Sequence, residues 1–256
     1  MGKIIHLLFV AATYLFLYVP IIVLLIFSFN ASTFPSPWTK FTFHWYQELM
    51  VSFSLWKAFL NSLIVASMAT FISIVAGILL IFYAAQGGRI GKFLILYYGN
   101  LLIPETVLAV SLLGFFSFAN IPLGLMTLIL AHTLLGLGFV VPMVYARFKE
   151  IDYRMTEASL VLGATPLQTF FKITLPLLRP TLIAAALLVF ILSFDDFILS
   201  YFCAGSASQT LSLYLLSMLR SQISPVVNAL ASLLLLLSSF LVWIFFTLKT
   251  RMRLFA

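Results

Sequence analysis

Charge is what this sequence has least of: Lys, Arg, Asp and Glu make up 8% of its 256 residues, against 63% that are hydrophobic. A soluble domain needs far more polar surface, so the chain is an integral membrane protein. Short alternating strands are also missing. The apolar segments run for about 20 residues or more where a barrel strand needs about ten, which excludes an outer-membrane barrel and leaves helices. A lone cysteine, Cys203, excludes an intramolecular disulfide and a cysteine-based metal site. The three histidines, His6, His44 and His132, lie far apart in segments of different type, so packing or interface roles are expected for them and a metal cluster is not. No G-x4-G-K-[ST] stretch occurs, so the chain does not bind ATP by a P-loop, and no polar set forms a catalytic constellation. The net charge of +7 does not point to nucleic acid, because the basic residues are scattered at the ends of apolar runs, where they set topology.

Six apolar segments can be read as spans. The first, Leu7–Phe29 with Pro20 inside, follows Lys3 as a signal peptide would. It is too long for an h-region and no small-x-small site follows, so it reads as an uncleaved span. Asn30–Trp56 comes next, carrying Pro35, Pro37, Trp38, Trp45 and Trp56; within it Phe43–Val51 is expected to form a short helix on the membrane surface. Span two is Ala58–Ala84, closed by a polar turn at Gln86-Gly87-Gly88-Arg89, and span three is Phe93–Phe118, with Pro104-Glu105 inside. Asn120-Ile121-Pro122 is a hairpin turn, and span four, Leu123–Tyr145, carries Gly136, Gly138 and Pro142, which permit close helix approach and kinking. Span five is Thr181–Phe202. Cys203–Ser224 reads as a partly re-entrant or interfacial helix, and span six, Pro225–Leu248, leads into a basic tail of Lys249, Arg251 and Arg253.

Lys and Arg counts orient these spans. With the N-terminus inside, Lys3, Arg89, Lys92, Arg147, Lys149, Arg154, Lys172, Arg179, Lys249, Arg251 and Arg253 are cytoplasmic, and Lys40, Lys57 and Arg220 are outside. That asymmetry satisfies the positive-inside rule and makes both termini cytoplasmic.

Arg154–Pro180 is the longest part polar enough to live in water, and its apolar spacing is still helical. A short helix is expected over Asp152–Leu162, ended by Gly163 in a left-handed turn. A second helix then starts with Thr165 as N-cap, Pro166 at the first position and Gln168 completing a capping box, and stops near Pro176. Glu157-Ala158-Ser159, three residues, Gly163, nine residues, then Ile173-Thr174-Leu175-Pro176 resembles the E-A-A-x3-G-x9-I-x-L-P signature of ABC-importer permeases. Ser159 departs from it, standing where the family has a second alanine.

The resemblance implies an all-α integral membrane fold with six transmembrane helices, the ABC transmembrane type-1 (MetI-like) permease core. The first helix and an extracytoplasmic loop would occupy 1–56, the core 57–248 with a cytoplasmic coupling loop at 150–180, and the tail 249–256. It also implies that Glu157, Ala158, Ser159, Gly163, Ile173, Leu175 and Pro176 dock on a cytoplasmic ATPase.

Three acids lie inside predicted spans: Glu105, Asp195 and Asp196. A carboxylate at mid-bilayer costs at least about 2.5–3.5 kcal/mol, so it normally faces water or a partner. On straight helices Glu105 would sit roughly 18–20 Å and Asp195 about 22 Å above the cytoplasmic ends of their spans, level enough for a cation site. Each has a plainer reading. Glu105 settles the turn broken by Pro104 or pairs with a neighbouring subunit, and adjacent Asp195 and Asp196 would project about 100° apart on a helix, leaving one of them structural. Tyr97, Tyr98 and Tyr201 are candidate aromatic partners for ammonium groups, with packing as the alternative.

The runs Pro104–Leu113, Ser193–Phe202 and Ser224–Ser232 are similar to the second permease of spermidine/putrescine importers. That implies a polyamine path through Glu105, Asp195, Asp196 and Tyr201, without cofactor or metal in this chain. The expected partners are a homologous permease, two ATPase subunits that bind ATP and Mg²⁺, an extracytoplasmic polyamine-binding protein and membrane lipids, in a bacterial cytoplasmic membrane. Three alternatives stay open: the same fold carrying iron, thiamine or another organic cation, an ion-coupled secondary transporter, and an integral membrane enzyme.

Overall fold

The computed structural model describes residues 2–32, 37–221 and 225–254. Pro35 and Ser224 lie outside these, as do the side chains of Lys92, Lys249, Arg251 and Arg253. The described residues are helical apart from turns and one isolated antiparallel bridge between Asn30 and Phe41. They form two compact units, residues 1–55 with 215–256, and residues 56–214.

The first unit holds α1 (Gly2–Phe27), α2 (His44–Val51) and α12 (Pro225–Leu254). α1 continues through Pro20 without a break. The short helix expected at Phe43–Val51 forms one residue later. Tyr46 fixes it, its hydroxyl lying 2.8 Å from Ser28 Oγ and 2.7 Å from Ser232 Oγ on α12. Trp45 Nε1 donates to the Asn30 carbonyl at 2.7 Å, so the polar ends of both aromatics are satisfied.

The second unit is built on α3 (Phe53–Ala85), α6 (Leu125–Glu150) and α9 (Leu175–Asp195). Glycine lets their backbones approach. A Cβ on Gly136 would lie 2.5 Å from Ser73 Oγ and 2.8 Å from Val189 Cγ1, and one on Gly138 would lie 2.6 Å from Asn100 Nδ2. Two polar bonds use the contact, Ser73 Oγ donating to the Thr133 carbonyl at 3.1 Å and Asn100 Nδ2 to the Leu134 carbonyl at 2.8 Å. Val140, Val144, Leu178, Leu182, Ala185 and Val189 fill the space below them as a buried core.

Two expected spans are not single helices. Span three divides into α4 (Gly91–Leu102) and α5 (Glu105–Phe118), which meet at 115°. Span five ends at Asp195, not Phe202, and a separate α10 (Ile198–Cys203) follows, then α11 (Leu211–Ser221). At its other end the helix does not stop near Pro176. α8 (Pro166–Thr169), a π-helical turn at Phe170–Thr174 and α9 run on as one apolar helix, Pro166–Asp195. Among the described residues four helices are long and apolar enough to cross a membrane, five with the bent pair counted as one, and α12 adds a shorter apolar stretch, Pro225–Phe240.

Candidate functional site

Proline makes the first break. Its ring disfavours helical backbone at the residue before it, and it has no N–H to continue the ladder. Ile103 is accordingly extended at φ −74, ψ 129, and Pro104 sits at φ −55, ψ 133. Glu105 therefore opens the first turn of α5, where its charge complements the helix N-terminus, and the depth derived from a straight span does not apply. The second break falls between the two aspartates. Asp195 is the last residue of α9, and Asp196 is extended at φ −62, ψ 131. The expected 100° divergence on a shared helix is thereby corrected, because the chain leaves the helix between them.

Both breaks open on one cavity of about 590 Å³. Asn100, Glu105, Asp195 and Asp196 line it among apolar side chains that include Leu135, Phe139 and Ile191. Residues from the C-terminal ends of α4 and α9 and from the N-terminal ends of α5 and α10 also line it, so the helix-end charges offset one another and the carboxylates set its polarity. The cavity is thus an electronegative chamber with apolar walls, suited to an organic cation.

The three acids differ in surroundings. Asp195 is exposed and Glu105 half-buried, and both line the same cavity as Asp196. Asp196 is buried. Its Oδ1 accepts from Leu199 N at 3.3 Å, its Oδ2 from Ser200 N at 2.9 Å, and its backbone carbonyl from Ser212 Oγ at 2.6 Å. His132, fully buried on α6, brings Nε2 to 3.5 Å from Asp196 Oδ2, while its Nδ1 lies 2.8 Å from Ser193 Oγ. Asp196 thus begins α10 and ties it to α6 and α11, besides walling the cavity.

His132 was assigned no part in this site by sequence. Its sequence signal is its place inside span four, since an ionisable residue within a span calls for a partner whatever its sign. Tyr201, named for the path, is exposed and packs against Phe197 and Phe202, and it is not among the cavity-lining residues. Tyr98 is also exposed, and Tyr97 packs beside Ile90, Leu94 and Val141.

A second feature lies at the other end of α9. Asp152 caps α7 (Tyr153–Val161) through Arg154 N at 3.0 Å. Gly163 ends it at φ +86, with Ala164 N donating to Ser159 O at 3.1 Å and Gly163 N to Leu160 O at 3.0 Å, the paired bonds of a Schellman turn. Thr165 and Gln168 then form the expected capping box, Gln168 N donating to Thr165 Oγ1 at 3.2 Å and Thr165 N to Gln168 Oε1 at 3.0 Å.

Ser159 has a use that alanine lacks. Its Oγ lies 2.9 Å from Oγ1 of the buried Thr169, joining the two arms of the hairpin. Ser159→Ala is expected to cost the hairpin about 1 kcal/mol, visible as faster amide exchange over 153–169 with the spans unaffected.

The continuation past Pro176 has a local cause. A π turn closes i to i+5, and Leu175 N donates to Phe170 O in that manner just before the proline, whose ring needs room and whose nitrogen has no proton to give. Ile173 and Leu175 of the motif are half-buried here, and Leu175 packs on the core around Val140 and Leu178. α7 buries none of its residues, and Val161 and Leu162 at its tip are 86% and 88% exposed.

No protein-family model matches the chain. Among solved structures it resembles a bacterial ABC transporter involved in import of the acidic polysaccharide alginate, with TM-score 0.69 at 13% identity over 97% of this chain and 95% of that one. It also resembles the inward-facing MetNI methionine ABC transporter, with TM-score 0.58 at 21% identity over 74% and 91%. These likenesses give the fold. Relatives in sequence are nearer. The spermidine/putrescine transport system permease protein PotC of Escherichia coli is 39% identical over 234 residues, 90% of this chain and 88% of that protein. Its counterpart in Haemophilus influenzae is 34% identical over 91% and 92%, and the E. coli putrescine transport system permease PotI is 33% identical over 86% and 82%. With the ABC-permease fold, the acid-lined cavity and the interrupted helices that form it, this degree of identity over nearly the full length means that the chain belongs to the spermidine/putrescine transport system permease family.

Proposed function

We propose that this chain is a transmembrane subunit of an ATP-driven importer that moves polyamines across the cytoplasmic membrane by alternating access. It is a transporter component and not an enzyme. The observation that carries the reading is the cavity that gathers Glu105, Asp195 and Asp196 at one end of α9, while the other end of the same helix continues into the hairpin that bears the permease motif. Like charges at such range in an apolar setting are tolerated when a positive charge lies between them, and an ammonium group supplies one. The apolar walls suit the methylene chain between two ammonium groups.

The partners follow from the family and the hairpin. A homologous permease completes the path, two ATPase subunits bind ATP and Mg²⁺, and an extracytoplasmic binding protein delivers cargo. Val161 and Leu162, apolar and exposed on a cytoplasmic loop, need a covering surface, and an ATPase groove provides it. Six spans result when α12 and the bent pair are each counted as one, which agrees with the type-1 core and with both termini in the cytoplasm. Closure of the ATPases on ATP draws the hairpins together, and the rigid α9 passes that movement to the cavity. The cycle is driven by differences in binding free energy between the two states, with no chemistry on the cargo.

Uptake of labelled spermidine and putrescine by vesicles carrying the assembled importer tests the reading. Glu105→Gln and Asp195→Asn are each expected to slow uptake about tenfold or more, since a hydrogen bond to a charged group contributes roughly 1.5–3 kcal/mol. Normal polyamine uptake in both variants would remove the carboxylate site. Preference for iron or thiamine in the parent would keep the fold and change the cargo. Uptake driven by an ion gradient without any ATPase would favour a secondary transporter.

A further inference from the structure

We propose that His132 is a positioning residue, fixing the Asp196 carboxylate so that it and Glu105 together clasp one ammonium group of the cargo. The proposal rests on the polyamine reading above.

Its basis is which element each contact comes from. The amides that bind Asp196, those of Leu199 and Ser200, belong to α10 and travel with it. His132 alone among the side-chain contacts of that carboxylate described here reaches it from α6, the helix whose Leu135 and Phe139 wall the cavity. Only a contact from α6 can set the carboxylate relative to that wall. The ring itself is held from the far side, with Nδ1 at 2.8 Å from Ser193 Oγ on α9 and no side-chain surface exposed. When Nδ1 accepts from Ser193, the ring proton resides on Nε2, which lies 3.5 Å from both Asp196 Oδ2 and Ser200 Oγ. A ligand carboxylate oriented by a buried histidine whose other nitrogen is hydrogen-bonded follows the logic of an outer shell around a metal site, here serving an organic cation.

Glu105 completes the clasp. It comes from α5, across the break at Pro104, and lines the same cavity as Asp196. The separation of the two carboxyls decides whether an ammonium group fits, and His132 anchors one of them. Asp195, exposed one residue earlier, is left for the second polar end of the cargo or for its entry.

Two substitutions separate positioning from packing, because the two ring nitrogens have different partners. In His132→Asn the amide oxygen stands near the place of Nδ1, keeping an acceptor for Ser193 and withdrawing the group that faces Asp196. In His132→Gln an amide nitrogen stands near the place of Nε2. Equilibrium binding of labelled spermidine to the assembled importer in lipid nanodiscs, without binding protein, is read together with the thermal midpoint. His132→Asn is expected to weaken binding about tenfold, and His132→Gln to recover it to within about threefold of the parent. Equal affinity in all three chains overturns the proposal and leaves the cargo reading standing, provided that Glu105→Gln still binds weakly. Affinity lost alike in both variants, in step with a lowered midpoint, also overturns it and makes His132 a packing residue. If Glu105→Gln binds spermidine as tightly as the parent, the cargo site itself is misplaced.

Discussion

A Gly163→Pro chain is expected to insert and assemble but to take up polyamine at least about a hundredfold more slowly, with ATP hydrolysis no longer linked to transport. The residue sits at φ +86, and proline is confined near −65°. Proline would also remove the amide that donates to Leu160 O and push Leu162, now at φ −76, ψ 6, out of the helical region. All three effects fall on the one turn that folds α7 back toward α8, so the arms splay and the tip residues Val161 and Leu162 leave their place. The spans contain none of these atoms. Gly163→Ala is the control, because a Cβ there meets nothing within 4 Å and the cost reduces to roughly 1–2 kcal/mol of left-handed backbone strain. Uptake and ATPase rates measured on the same membranes decide the matter. Normal transport by the proline variant would show that the hairpin is not the coupling element.

Asp196→Ala is expected to lower stability by about 2–4 kcal/mol, since each buried donor left without an acceptor costs roughly 1–3 kcal/mol. Leu199 N and Ser200 N lose their acceptor, and His132 loses its carboxylate partner. For a chain of this size the thermal midpoint should fall on the order of 10 °C. Asp195→Ala, one residue away and exposed, should leave the midpoint close to the parent value and act on cargo alone. Equal midpoints in the two variants would be incompatible with the knot around His132.

Local features were legible in the sequence wherever one or two residues decide the backbone. Asp152, Gly163, Thr165 and Gln168 all take the capping roles that their chemistry dictates. The meeting of Glu105 with the aspartates was also anticipated, although by way of straight helices that do not exist. Pro104 by itself implies only a weakened turn inside a span, and the actual bend of 115° depends on what α4 and α5 pack against, which no local pattern records. The opposite error occurred at Pro176. There the proline signal favoured a stop, and the packing of Leu175 and Leu178 on α6 carried the helix through. Asp195 and Asp196, alike in sequence, became unlike because one ends a helix in the open and the other is buried against His132. That distinction arises only when α6, α9 and α10 come together.

The wide turn at Phe170–Thr174 also fixes an angle. A π turn takes one residue more than an α turn, and each residue of helix rotates the chain by about 100°. Shortening this segment by a single residue would give a regular helix with every residue of the motif still present. It would also swing the hairpin by about 100° around the axis of α9, so that the exposed Val161 and Leu162 faced a different direction. The nine residues between Gly163 and Ile173 therefore measure a rotation as well as a length.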